Sequence, residues 1–177
     1  MSKLFFYKTN CELGFDFRNI IKTKINSLTT AVQGSDALPN QVRKSKVTWI
    51  PTNHWISGLL SHYIHDANHH LYQYDITHWE SDIQYTVYDF GDKYGWHVDT
   101  TDNFINPRKL SISLCLSSID EYDGGEFQIL TGRTVNTIKM NLGDVLVFPS
   151  DCWHRVKKIK SGQRISLVGW YTGPRFK

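Results

Sequence analysis

The rhythm of hydrophobic and polar positions changes about halfway along this chain. In the first half, apolar residues recur at helical spacing. In "GFDFRNIIKTKINSLT" they fall at Phe17, Ile20, Ile21, Ile25 and Leu28, which predicts a helix. A second helix is predicted in "HWISGLLSHYIHDANHHLYQY", where Trp55, Leu59, Leu60, Tyr63 and Ile64 share one face and Asn53 stands where an N-cap is needed. Between them "QGSDALPNQVRKSK", with Gly34 and Pro39, is polar and reads as a loop. The short strand "VTWI" follows and is stopped by Pro51.

From "IQYTVYDF" onward the period drops to two. The runs "KLSISLCLS", "GEFQIL", "TVNTIKM", "DVLVFP", "HRVKKI" and "RISLVGWYT" are β-like, and the pieces between them ("YDGG", "TGR", "NLGD", "KSGQ") carry turn residues. Strands about ten residues apart with turn signals between them predict a sandwich or jelly roll. The helices of the first half would cover one of its sheets. No repeat and no linker-like tract divides the chain, so one domain over residues 1–177 is expected. Residues 1–80 would form its helical and loop part, and about 81–174 its β core.

Composition sharpens this only slightly. Aromatic residues make up 14%, which suits a β-rich core of large side chains. A formal net charge of +3 is too small to argue for nucleic acid, so nucleic acid is not an expected partner. No run of about 18 apolar residues occurs, so no transmembrane helix and no membrane partner are expected. Cys11, Cys115 and Cys152 form no CxxC pair, and "MSKLFFYKTN" lacks the apolar core of a targeting segment. A cytoplasmic location is therefore expected.

The chemistry centres on "GWHVDT". His97 and Asp99 stand at i and i+2, so on an extended segment both side chains point to one face. His154, in "FPSDCWHRV", is the candidate third group. Two imidazoles and one carboxylate on one face of an ion are the set used by non-haem Fe(II) oxygenases, which leaves the opposite face open. Zinc would ordinarily take a fourth protein ligand or a single water. Arg164 opens the apolar strand "ISLVGW". If it points inward its burial demands an anion, and a dicarboxylate would serve.

Several other groups carry less. His62, His65, His69 and His70 share a helix without an HExxH motif and read as a solvated face. Cys152, two residues before His154, reads as an incidental thiol rather than a ligand. The polar "TTDNFINPRK" after the H-x-D could be a closing lid or a plain connection, and the residues leave both open. "RVKKIKSGQR" reads mostly as exposed strand ends.

Taken together, "IQYTVYDFGDKYGWHVD", "RKLSISLCLS", "GGEFQI", "GDVLVFPSDCWHRV" and "GQRISLVGWYTGP" resemble the Fe(II)- and 2-oxoglutarate-dependent dioxygenase superfamily. Within it the prolyl 4-hydroxylase-like branch, including small bacterial and phage hydroxylases, is the most similar. The resemblance runs from about Arg43 to Pro174, and Ala67–Asn68 and Gln84–Tyr88 add to it. It implies a double-stranded β-helix of the jelly-roll, cupin-like kind, mainly β with flanking helices.

It further implies that His97, Asp99 and His154 hold Fe(II), that Arg164 takes the distal carboxylate of 2-oxoglutarate, and that the Tyr88 phenol donates to the same cosubstrate. Leu114 and Trp170 would line the pocket. Animal and plant prolyl 4-hydroxylases often carry Lys where Arg164 stands, so the arginine is a departure, though a chemically sound one. The implied cofactors are Fe(II), 2-oxoglutarate and O₂, with ascorbate as an accessory. The implied reaction is hydroxylation of an unactivated C–H bond with release of succinate and CO₂, on a prolyl residue of a protein or peptide. The alternatives are hydroxylation of a free amino acid, another small molecule or a nucleobase, and a metal-binding cupin-like module without turnover.

Overall fold

Strict alternation decides which way each long strand of this protein faces. The computed structural model describes residues 6–12, 16, 18–21, 23, 43–100 and 105–175. In chain order its first strands are β1 (Tyr7–Asn10), β2 (Arg43–Lys44) and β3 (Lys46–Ile50). The helix α1 (Trp55–Ala67) follows, and a single π-helical turn over Asn68–Tyr72 extends it. Then come β4 (His78–Trp79), β5 (Ile83–Tyr88), β6 (Lys93–His97), β7 (Arg108–Cys115), β8 (Tyr122–Gly124) and β9 (Phe127–Thr131). The last five are β10 (Thr134–Ile138), β11 (Asp144–Pro149), β12 (His154–Val156), β13 (Ile159–Gly162) and β14 (Arg164–Thr172).

A seven-stranded sheet runs β1–β11–β7–β14–β5–β3, with β4 also paired to β14. A five-stranded sheet runs β10–β9–β12–β6–β2, and β8 and β13 pair with each other. Each of these pairings is antiparallel.

On the seven-stranded sheet the odd and even positions serve different cores. Ile83, Tyr85, Leu110, Ile112, Leu114, Val145, Val147, Ile165 and Leu167 face α1, which buries Ile56, Leu60, Ile64 and Ala67 against them. Each fully buried Ile or Leu contributes about 1.5–3 kcal/mol of transfer free energy. Tyr88, Cys115, Leu146 and Phe148 face the other way and pack on Phe127, Ile129 and Val156 of the five-stranded sheet. The two sheets thus enclose a second interior, which is the mainly β jelly roll that the sequence predicts.

A glycine sets one close approach. A Cβ on Gly169 would lie 2.6 Å from the Trp79 ring, which packs edge-on against Tyr171 with centroids 4.5 Å apart.

Several expectations need correction. The buried stripe of α1 begins at Ile56, and Trp55 is 45% exposed. His54 caps the helix instead of Asn53, its side chain accepting the Ile56 N–H. The predicted loop ends in a strand, since Arg43–Lys44 pairs with β6, while residues 33–42 lie outside the described residues. The run "HRVKKI" is split between β12 and β13. Of the first predicted helix, residues 16, 18–21 and 23 are helical and the rest lies outside the described residues. Leu114, expected in the pocket, points to the α1 side instead, because alternation along β7 gives the inner face to Ser111, Ser113 and Cys115. Among the described residues no helix is long and apolar enough to cross a membrane.

Candidate metal centre and the cation that faces it

Two strands of the smaller sheet deliver the imidazoles. β6 ends at His97, β12 begins at His154, and the antiparallel register sets the two residues directly opposite each other. Asp99 lies just past the end of β6, where backbone bonds to Ser150 and not strand pairing hold it. The N–H groups of Asp99 and Thr100 donate to the Ser150 carbonyl at 2.8 and 2.9 Å. Ser111, reaching from β7 of the larger sheet, donates its hydroxyl to Asp99 Oδ2 at 2.8 Å. The result is one cluster whose ligand-type atoms all lie within 4.8 Å of one another. His97 Nε2 is 3.5 Å from Asp99 Oδ1, and His154 Nε2 is 3.4 Å from Asp99 Oδ2.

Both rings are oriented from behind. His97 Nδ1 donates to the Gly95 carbonyl at 2.8 Å, and His154 Nδ1 donates to the Cys152 carbonyl at 2.9 Å. A carbonyl oxygen only accepts, so Nδ1 carries the proton and Nε2 turns its lone pair to the cluster. Burial pushes His154 toward its neutral form, against the pull of Asp99. Burial alone would raise the Asp99 carboxyl, yet His154 and His97, in their protonated forms, hold it well below the usual carboxylate range, a place that a bound cation takes when the rings are neutral. Neutral imidazole and charged carboxylate are the states in which these groups bind metal.

The donor set therefore fits a divalent first-row ion. Ligand atoms about 2.1 Å from such an ion and at right angles lie roughly 3 Å apart, close to the separations here. Cys152 serves the cluster through its carbonyl, while its half-buried thiol is pushed up to about 11 by burial and stays protonated.

Across the same cavity stands Arg164, 1% exposed, at the start of β14 and opposite Tyr88 in register. Its Nη1 donates to Ser166 Oγ at 3.2 Å and its Nη2 to Met140 Sδ at 3.5 Å, and its Nε has no hydrogen-bond partner among the described residues. Among the described residues no carboxylate pairs with it. Burying a guanidinium on a hydroxyl and a thioether is expensive, so this cation is poised for an anion. Gly125, at φ +62°, makes room for its stem, since a Cβ there would lie 3.2 Å from Arg164 Cδ. Tyr88 lies beneath the guanidinium, which sits 5.8 Å from its ring centroid, and burial pushes the phenol up.

Trp170 also lines the cavity, and its indole N–H helps to lower Asp99 without making a hydrogen bond of ordinary geometry. Arg108 clamps it from outside. The guanidinium lies 4.1 Å over the Trp170 ring, pairs with Glu80 at 2.8 Å and donates to the Asp99 carbonyl at 3.2 Å.

Sequence reasoning thus places His97, Asp99, His154, Arg164, Tyr88 and Trp170 around one cavity, and it misplaces Leu114. It misses Ser111, Arg108, Tyr94 and Gly125. The alternation of "KLSISLC" was a usable signal for Ser111, because the small polar residues there keep one parity. His62, His65, His69 and His70 are exposed and gather no third metal-binding neighbour among the described residues.

Comparison with known proteins agrees with this geometry. Residues 83–172 match the 2OG-Fe(II) oxygenase superfamily. A PKHD-type hydroxylase of Prochlorococcus marinus (strain MIT 9211) is 41% identical over 80 residues, covering 45% of this chain and 36% of that protein. One from Synechococcus sp. (strain CC9902) is 43% identical over 82 residues, with the same coverage of 45% and 36%. This chain thus spans little more than a third of the length of these relatives.

Among solved structures, a Trichoplax adhaerens prolyl hydroxylase in complex with a hypoxia inducible factor peptide fragment shares the fold. Its TM-score is 0.77 at 21% identity, over 96% of this chain and 84% of that one. The carbocyclase SnoK from nogalamycin biosynthesis shares it too, with a TM-score of 0.71 at 10% identity, over 97% of this chain and 80% of that one.

Proposed function

The chain belongs to the 2OG-Fe(II) oxygenase superfamily, and from that premise we propose that it is a hydroxylase acting on a prolyl residue of a protein or peptide. One observation carries the reading. A single cavity has two imidazole lone pairs and a carboxylate converging at one end and, at the other, a buried guanidinium that no carboxylate among the described residues pairs with. The charges of Asp99 and Arg164 cancel, so a divalent ion taken together with a dianion keeps the interior neutral. Fe(II) and 2-oxoglutarate are such a pair.

His97, Asp99 and His154 would hold the iron, and bound iron with its cosubstrate supplies the oxidising power for C–H hydroxylation coupled to succinate and CO₂ release. Arg164 pairs with the distal carboxylate as a rigid fork, and the Tyr88 phenol donates to the same end. Ser111 and the Ser150 carbonyl fix the Asp99 carboxylate. Trp170, held flat by Arg108, forms the wall beside it. The prolyl substrate is supported by the kinship with PKHD-type hydroxylases and by the prolyl hydroxylase folds.

The test is an anaerobic titration with Fe(II) and 2-oxoglutarate, expected to give a visible charge-transfer band that His97→Ala and Asp99→Ala lose. No band in the unaltered protein would refute the metal and cosubstrate assignment and leave a binding module. Proline-containing peptides are expected to accelerate succinate release and to gain one oxygen atom in mass. A band with succinate released only in the presence of a small molecule would overturn the prolyl substrate.

A further inference from the structure

Tyr94 and His97 are three residues apart, a spacing that sends side chains to opposite faces of a regular strand. Here their rings stack, with centroids 3.5 Å apart and planes 12° from parallel. The cause is a bulge. His154 pairs with His97 and Val156 with Tyr94, so three steps along β6 answer two along β12. The extra residue falls at Gly95–Trp96 and shifts the parity of everything before it. It has a double effect, because it also turns the Gly95 carbonyl onto His97 Nδ1 at 2.8 Å.

The other face of Tyr94 is covered as well. Arg43 pairs with Tyr94 in register, and its guanidinium lies 4.9 Å from the Tyr94 ring centroid. The imidazole already occupies one face at contact distance, so the guanidinium takes the opposite one. Guanidinium, phenol and imidazole therefore form three layers, the outer cation drawing on the ring's negative face.

His154 is held by different means. It is 4% exposed, with Phe127 at 5.5 Å and Phe148 at 4.7 Å between ring centroids. The His97 side chain, at 13% exposure, lies in a more open site than that of His154, at 5%.

We propose that Tyr94, turned by the β6 bulge and backed by Arg43, is a positioning residue that fixes the ring plane of His97 so that its Nε2 points at the metal. The Gly95 carbonyl sets rotation within the ring plane, and the stack sets the plane itself. Both side-chain torsions of His97 are then restrained before any ion arrives. The proposal rests on the reading of His97, Asp99 and His154 as metal ligands.

The test is a Co(II) titration without cosubstrate, followed by the ligand-field absorption of the loaded protein. The unaltered protein binding no Co(II) at all would sink the ligand reading itself, which is a separate failure. Given binding, Tyr94→Leu is expected to weaken Co(II) about 10–100-fold and to alter the absorption at saturation. Tyr94→Phe, which keeps the stacked ring, is expected to restore both. Should Tyr94→Leu fail to fold, as its melting curve would show, Arg43→Met removes the backing layer, together with the Arg43 Nε–Ser45 hydrogen bond, and leaves the Tyr94 ring in place. It is expected to weaken Co(II) severalfold with a shifted absorption. Affinity and absorption unchanged from the original, in Tyr94→Leu or in Arg43→Met as the folded variant, would overturn the proposal.

Discussion

The two ends of the cavity are built on opposite principles. The metal end is an assembly of irregularities: a strand terminus at His97, an irregular segment that ties Asp99 to Ser150, a bulge at Gly95–Trp96, and a hydroxyl sent across from the other sheet. The cation end is regular. Arg164, Ser166, Val168 and Trp170 follow one another at every second position of β14, and all line the cavity. The first end is chemically mild and geometrically demanding. The second is geometrically simple and electrostatically costly, because it removes a guanidinium from water. Mutations at the metal end should therefore act through shape as well as charge, and mutations at the cation end through charge.

The largest effect is expected from Asp99→Asn, which preserves shape and removes the charge and one ligand oxygen. Metal affinity is expected to fall by more than about 100-fold, beyond what the loss of a ligand's supporting hydrogen bond brings. Equilibrium Mn(II) or Co(II) titration measures it. A near-normal affinity would mean that the cluster is held together for reasons other than metal.

Arg164→Met comes next and separates the two ends most cleanly. The affinity for 2-oxoglutarate is expected to drop by about 2–5 kcal/mol, the range for removing one partner of a buried charge pair. That is roughly 30- to 5,000-fold in Kd. The same change is expected to raise the melting temperature of the ligand-free protein, because it deletes a buried cation whose hydrogen-bond partners among the described residues are a hydroxyl and a thioether. Metal and cosubstrate added together are expected to raise the melting temperature of the original protein by mass action, and a chelator to reverse it. A ligand-free Arg164→Met protein that melts lower would mean that the guanidinium contributes to the fold by itself.

This contrast also explains what could be read in the sequence. Regular features were legible: β5, β7, β11 and β14 follow from alternation, and Arg164 from its place at the head of an apolar strand. Parity, however, does not say which parity faces which core. The resemblance puts Leu114 in the pocket, and only the pairing of β7 between β11 and β14 assigns it to the α1 side. The same one-residue ambiguity moved the α1 stripe from Trp55 to Ile56. His97 and Asp99 were visible because their spacing is local, although the strand ends at His97 and Asp99 lies beyond it. The bulge was invisible, since an inserted residue breaks the very alternation used to find strands. β1, β4 and β8 are two to four residues long and pair with distant partners, so they leave no periodic trace.

A smaller effect is expected from Ser111→Ala. Its hydroxyl donates to Asp99 Oδ2 at 2.8 Å and lies 2.9 Å from Ser150 Oγ, so with Arg108, also on β7, it ties the larger sheet to the metal end. Metal affinity is expected to fall about 10–100-fold, with the ligand set otherwise intact. Titration of Ser111→Ala beside Asp99→Asn checks the ranking. Equal losses would show that the hydroxyl, not the carboxylate charge, is the main determinant.

The smallest effect on binding is expected from Leu114→Ala, and its smallness is the point. Leu114 is fully buried among Ile112, Leu116, Val145 and Leu167 on the α1 side of the sheet, and its β7 neighbour Ser113 lines the cavity. Truncation there leaves a void between helix and sheet, expected to destabilise the fold by about 2–5 kcal/mol. The sheet itself stands between that void and the cavity. Affinities for metal and for 2-oxoglutarate, measured well below the lowered melting temperature, are therefore expected to match the original. Denaturant unfolding would supply the first number and titration the other two. A stability loss accompanied by a matching loss of 2-oxoglutarate affinity would mean that strain crosses the sheet, and that the α1 packing helps to shape the cation end.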